Sequence, residues 1–405
     1  MERNDPRYQA YVEILKEELI PAMGCTEPIA LAYAAAKARE VLGVLPDSVQ
    51  LQVSGSIIKN VKSVIVPNTG HLKGMEAAVA AGIIAGSAEK ELEVISEVSE
   101  EKKSAIRDYL QTVPITIEHT EQGHVFDIVV TERCGQDYAR VRIADYHTNI
   151  CRIEKNGTVL YEVPLLDETV QEDARADRSL LNMQDIWDFA ETADLRDVAD
   201  LLERQIRYNN AIAEEGLLGD YGANIGRVLL TTYGNDVSNR AKAKAAAGSD
   251  ARMNGCELPV IINSGSGNQG ITCSVPLIEY AKELHSGKEK LYRALIISNL
   301  VAIHEKTGIG TLSAYCGAVS AGAGAGAGIV YLCGDGYQAA IHTVVNALAI
   351  VSGIVCDGAK ASCAAKIASS VDAALLGYNM YKCNQEFKGG DGIVMKDIET
   401  TIKGI

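Results

Sequence analysis

From Thr307 to Gly334 the chain reads TGIGTLSAYCGAVSAGAGAGAGIVYLCG, a run without one charged side chain. By length alone it could cross a bilayer. Its chemistry argues otherwise. Gly, Ala and Ser dominate where Leu, Ile and Phe would be needed, no Trp or basic flank marks an interface, and Asp335 follows at once. Small residues let neighbouring backbones approach closely, so AGAGAGAG (321–328) is expected to form a fully buried helix inside a helical domain. A second uncharged run, YQAAIHTVVNALAIVSGIVC (337–356), is expected to pack beside it.

With 405 residues, 47% hydrophobic and 22% charged, the chain can bury two or three cores. Its net charge of −15 argues against nucleic acid or an anionic membrane as partner and leaves a small molecule or a protein. The opening MERNDPRYQAYVEILKEEL mixes charges of both signs and lacks the apolar centre of a signal peptide, so a cytoplasmic location is expected. In that reducing compartment the 10 cysteines serve burial, catalysis or metal binding rather than disulfides. The sequence leaves oligomeric state open, a homo-oligomer included.

Along the chain, residues 8–43 read as two helices, and 49–55 and 60–67 as two strands joined by a short turn. A helix follows over 71–86. From 113 to 163 apolar residues alternate in PITIEHT, HVFDIVVTE, YARVRIAD, TNICRIEKNG and TVLYEVP, the pattern of an antiparallel meander. After about residue 180 strand signals almost vanish, except in ELPVIINSGSGNQG (257–270), an apolar run ending in a Gly/Ser/Asn loop. The expected fold is α+β, with a mixed N-terminal domain over 1–175 and a mainly helical domain over 176–405, the site lying where they meet.

Within PAMGCTEPIALAYAAAKA (21–38), Thr26 and Glu27 are cap-type residues and Pro28 suits a first helical turn, which puts Cys25 at a helix N-terminus. The positive end of the helix would lower the thiol pKa and make a usable base or nucleophile. The plainer alternative is a small buried hydrophobe. Cys316, Cys356 and Cys363 stand in LSAYCGAV and VCDGAKASC, with no CxxC pair anywhere, and spacing alone is equally served by three buried thiols. Cys333 and Cys383 read as buried bystanders. NSGSGNQG offers backbone N–H groups and polar side chains to an anion, or is a plain helix-entry turn. His71 and Lys73 could meet an anion too, or be solvated surface. Asp357 could steady its loop or cap a helix, and Lys360 and Lys366 read as surface charges.

TLSAYCGAVSAGAGAGAGI, VCDGAKASCAAK, NSGSGNQG and PAMGCTEPIALAYA, four separated elements in order, resemble the L-cysteine desulfidase family, a relative of the iron–sulfur L-serine dehydratase alpha chain. The resemblance spans nearly the whole chain. It implies a [4Fe–4S] cluster held by Cys316, Cys356 and Cys363 with one iron open, and Cys25 as catalytic base. It also implies substrate contacts from Ser264, Gly265, Ser266, Asn268 and Gln269, and from Asn68 and His71 near the NTGH turn. The implied reaction is β-elimination of L-cysteine to hydrogen sulfide, pyruvate and ammonia, without pyridoxal phosphate. Compared with the serine dehydratases, CDGAKASC is a shorter gap without a proline after Cys-Asp, and no cysteine follows Cys383 to cap an open iron. Those departures favour the desulfidase branch. Two rivals stand beside it: the same machinery acting on L-serine, and a non-catalytic protein whose cluster is structural or senses oxygen.

Overall fold

The alternation over 113–163 does make strands, but a sixth strand from earlier in the chain enters the sheet between the first two. In the structure, a computed structural model that describes residues 1–121, 124–165, 175–310 and 313–404, the N-terminal elements run α1 (Pro6–Glu18), β1 (Pro21–Met23), α2 (Thr26–Leu42), β2 (Ser48–Val53), α3 (Gly55–Val61), α4 (Gly74–Ala85), α5 (Glu100–Thr112), β3 (Ile115–His119), β4 (Asp127–Cys134), β5 (Asp137–Ala144), β6 (Ile150–Lys155) and β7 (Thr158–Glu162). The sheet order is β3-β2-β4-β5-β6-β7, with β2 parallel to β3 and every other pair antiparallel. The expected meander is therefore confined to β4–β7.

The expected strand over 60–67 does not form. Val53 already pairs with both His119 and Ile128, so β2 has no edge left for a hairpin partner. The chain turns instead at Ser54 into α3, which buries Ile57 and Val61. One face of the sheet, with Leu51, Val130 and Val141 fully buried, packs on α2. The alanines of α2 let α4 approach its far side closely: a Cβ on Gly82 would stand 2.1 Å from the Ala32 carbonyl oxygen.

The remainder is helical: α6 (Met183–Thr192), α7 (Ala199–Leu218), α8 (Ile225–Tyr233), α9 (Val237–Met253), the short β8 (Pro259–Ile261), α10 (Gly267–Glu283), α11 (Lys288–Ile309), α12 (Ala318–Cys333), α13 (Tyr337–Val351), α14 (Ser362–Lys382) and α15 (Ile398–Lys403). The Gly/Ala run is α12, buried along its length and surrounded by α10, α11, α13 and α14. Its glycines admit those neighbours. A Cβ on Gly324 would meet the Ser298 carbonyl oxygen of α11 at 2.4 Å, and one on Gly322 the Ser370 backbone of α14 at 2.8 Å. No helix among the described residues is long and apolar enough to cross a membrane.

One apolar cluster runs through residues on both sides of position 175; residues 166–174, which adjoin the expected domain boundary, lie outside the described part. The join that matters for the site is β1 with β8. Pro21 pairs with Ile261 and Met23 with Pro259, which brings the turn before α2 beside the loop before α10.

Candidate functional site

Cys25 is the residue preceding α2, with extended backbone angles, as the sequence pattern anticipates. Its surroundings reverse the expected shift in pKa. The thiol is fully buried, and burial pushes its pKa well up, reinforced by the charge of Glu27 and by the S–H bond it donates to Glu27 Oε2 at 3.0 Å. The helix end is a fractional charge and cannot offset a whole carboxylate at hydrogen-bond distance. Cys25 rests as a thiol, not a thiolate.

Glu27 faces two competing effects. Burial alone would raise its pKa, but the charge of His147, the Cys25 S–H, its own backbone N–H and Arg252 outweigh that and hold it below the usual range. His147 is itself driven toward its neutral form by burial, so Arg252 is the lasting counter-charge. Glu27 also accepts from Asn60 Nδ2 at 2.9 Å and Thr26 Oγ1 at 3.2 Å. Thr26 Oγ1 further donates to the Gly265 carbonyl at 2.9 Å, tying α2 to the Gly/Ser loop.

Cys316 and Cys356 are held together by backbone. Tyr315 bridges Val355, the Cys316 N–H donates to Ile354 at 3.1 Å, and the Cys356 N–H donates to Ala314 at 2.8 Å. Cys363 lies in the first turn of α14. Between them Gly358, at φ +101°, passes so close to α3 that a Cβ there would stand 2.5 Å from the Lys59 carbonyl oxygen. Only glycine suits that angle and that approach. Asp357 pairs with Lys366 and with Lys360 at 3.2 Å, which lowers its pKa to about 2. The two lysines therefore brace the loop. Cys363 and Ala359 pack against a small apolar group of Cys25, Val64 and Met253.

All four of these cysteines line one cavity of about 100 Å³. Ser266, Asn268 and Gln269 line it as well. The other expected contacts do not. The Ser264 hydroxyl donates to Asn263, Gly265 is used by Thr26, and Asn68 is buried while donating to the Ile95 and Ser96 carbonyls. His71 is exposed beside Gly255. Cys333 and Cys383 are exposed, not buried: each falls at the end of a helix rather than on its packed face.

Sequence reasoning missed the charged lining. Glu27 was legible only as a cap. Arg252 near the end of α9, Lys306 near the end of α11, and Asn60 and Lys59 in α3 carry no spacing signal, yet all reach the cavity. Lys59 Nζ donates to the Cys356 carbonyl at 3.3 Å, and burial brings the Lys306 pKa down to about 8.

Among the described residues no group of three or more His, Cys, Asp or Glu side chains is poised to hold a metal ion. Thiolates of an iron–sulfur cube bind different irons and must stand apart. The donor set suits that group: three sulfur ligands line one cavity, and cationic Lys59, Lys306 and Arg252 line it too and can balance thiolate charge.

Residues 89–405 match the family model of the serine dehydratase alpha chain. A UPF0597 protein of Desulfitobacterium hafniense is 62% identical over 405 residues, covering 100% of this chain and 94% of its own length. UPF0597 proteins of Lachnoclostridium phytofermentans and Treponema denticola are 53% and 47% identical, covering 98% and 100% of this chain and 95% of each relative.

Proposed function

This chain belongs to the serine dehydratase alpha-chain family, and on that premise we propose that it is a lyase eliminating the β-substituent of a small amino acid, with L-cysteine as substrate. The observation that carries the reading is the convergence of Cys25, Cys316, Cys356 and Cys363 on one cavity. A [4Fe–4S] cluster on Cys316, Cys356 and Cys363 would supply a Lewis acid for the departing sulfur.

The chain's own residues handle the proton. Cys25 is the proposed base for the substrate's α-proton and must first lose its own S–H proton, which in the free protein it donates to Glu27 Oε2 at 3.0 Å. The electrons of the broken Cα–H bond form the Cα=Cβ bond, and those of the Cβ–S bond leave with sulfide. The aminoacrylate released takes up water to give pyruvate and ammonia. Ser266, Asn268 and Gln269 stand where they can orient the substrate at the first turn of α10.

The short CDGAKASC segment, without a proline after Cys-Asp, supports the desulfidase branch through its resemblance, and the choice of sulfur over oxygen is decided by assay. Anaerobically purified, iron-loaded protein tests the reading when sulfide from L-cysteine is compared with pyruvate from L-serine. Sulfide and pyruvate in equal amounts from cysteine are expected. Pyruvate from serine with no sulfide from cysteine would make the chain a serine dehydratase. Turnover of neither by cluster-containing protein would remove catalysis altogether.

A further inference from the structure

We propose that the cavity grips both charged ends of a free α-amino acid, Arg252 taking the carboxylate at the start of α10 while Glu27 and Asn60 take the ammonium. The inference rests on the reading that the substrate is an amino acid and goes further, to the residues that recognise it. Its starting point is a pair of opposite charges that do not meet. Arg252 and Glu27 are 3% and 8% exposed and line the same cavity, and Arg252 is near enough to help hold the Glu27 pKa down, yet no direct salt bridge joins them among the described residues. Buried charges persist only with a counter-charge or full hydrogen bonding. A zwitterion supplies a direct partner of opposite charge to each.

The unsatisfied atoms fall in the same place. Arg252 Nε, Asn60 Oδ1 and Gln269 Oε1 are buried without a hydrogen-bond partner among the described residues, and all three residues line the cavity. Arg252 is a donor. Its Nη1 donates to Asn268 Oδ1 at 3.1 Å, and its guanidinium lies over Gly267, where a Cβ would stand 2.2 Å from Nε. That sets it beside the first turn of α10, whose leading N–H groups have no acceptor within the helix and favour an anion. Asn60 and Gln269 offer acceptors. Asn60 Nδ2 is committed to Glu27 Oε1, which fixes the amide and leaves Oδ1 free for an N–H of the ammonium. The Gln269 amide lies against Gly317, next to Cys316. With both ends held, the substrate's β-carbon is left for the cysteine wall and its α-hydrogen for Cys25.

Calorimetric titration of the iron-loaded protein with L-alanine, which carries both charged ends and no leaving group, tests the inference. L-Alanine should bind, and propionate and ethylamine, each lacking one end, should bind at least tenfold more weakly. Arg252→Gln and Glu27→Gln should each weaken L-alanine by about 10- to 100-fold, the range for a lost hydrogen bond to a charged group. Arg252→Lys should recover part of the loss. Circular dichroism shows whether each variant is folded, and the three-probe comparison on the unaltered protein tests recognition of both charged ends even if none is. The inference fails if the unaltered protein does not bind L-alanine, if propionate or ethylamine binds as tightly, or if folded variants keep full affinity. L-Alanine bound in the expected manner without sulfide release from cysteine would uphold this inference and overturn the desulfidase reading. Sulfide release with unchanged L-alanine affinity in both folded variants would do the reverse.

Discussion

Gly324→Ala and Gly308→Ala are the same chemical change on two packed helices, and the structure gives them opposite signs. On propensity alone each exchange stabilises a helix by up to about 1 kcal/mol. At Gly308, in the exposed last turn of α11, a Cβ would have no atom of the described residues within 4 Å, so the gain survives at about 0.5 kcal/mol near a fraying end. At Gly324 the Cβ would stand 2.4 Å from the Ser298 carbonyl oxygen and 3.2 Å from the Ala302 nitrogen. Ordinary contact begins at 3.4 Å, so α11 and α12 must separate by about 1 Å. Overpacking of this kind costs about 1–3 kcal/mol, and the obstacle is backbone rather than the tip of a flexible side chain, which points to the upper end. The net for Gly324→Ala is a loss of about 1–2 kcal/mol. Urea denaturation followed by far-UV circular dichroism measures both variants. Gly324→Ala should unfold at lower urea than the unaltered protein and Gly308→Ala at slightly higher. If Gly324→Ala proves as stable as Gly308→Ala, the close approach of α11 and α12 is not the constraint described here.

Serine in place of Cys316, Cys356 or Cys363 should abolish the visible charge-transfer absorbance and the iron and sulfide content of anaerobically loaded protein; full iron in all three variants would reject the ligand assignment. Cys25→Ser should keep the absorbance while exchange of the substrate's α-hydrogen with deuterated water falls by about 10²- to 10⁴-fold. Loss of iron in Cys25→Ser would make Cys25 a ligand instead. Glu132 on β4 is buried without a hydrogen bond, and burial lifts its pKa from 4.5 to about 9 against a weak opposing pull from Arg39. The folded chain thus keeps a proton that the unfolded chain releases, so stability falls as pH rises from about 4.5 through about 9, by about 3 kcal/mol at pH 7. Glu132→Gln should remove that slope, gaining nothing below pH 4.5 and most at about pH 9 and above; parallel pH profiles for the two proteins would show Glu132 ionised in the fold.

What the sequence revealed was whatever a local pattern decides. A Gly/Ala run without charge can only be interior, and α12 is. Thr-Glu-Pro after a cysteine starts a helix, and α2 begins at Thr26. Partners distant in sequence were not legible. The β-branched run before Pro67 reads as a strand, but β2 is already flanked by β3 and β4, and no pattern in residues 60–67 reports that. The state of Cys25 was misjudged for the same reason. A helix end is visible in the sequence, whereas the depth of burial and the orientation of the Glu27 carboxylate exist only in the folded chain. Arg252, Asn60 and Lys306 are single polar residues in otherwise ordinary helices, brought to the cavity from α9, α3 and α11.

That dispersal explains why the centre of the protein is so closely packed. The cavity holds an ionised Glu27, an Arg252 whose Nε has no hydrogen-bond partner among the described residues, and a Lys306 whose ammonium is weakened to a pKa of about 8, and none of these gains from being taken out of water. Such a group of charges is kept in place only by elements that cannot rearrange to hydrate them. β1 and β8 pin the Cys25 turn to the α10 loop through backbone hydrogen bonds. Gly358 locks the cysteine loop onto α3 at a distance that no side chain would permit. The glycines of α12, which begins two residues after Cys316, fix that helix against α11 and α14. The small residues and the buried charges are therefore two halves of one arrangement: packing without side-chain freedom holds open a polar cavity that a more deformable core would collapse or flood.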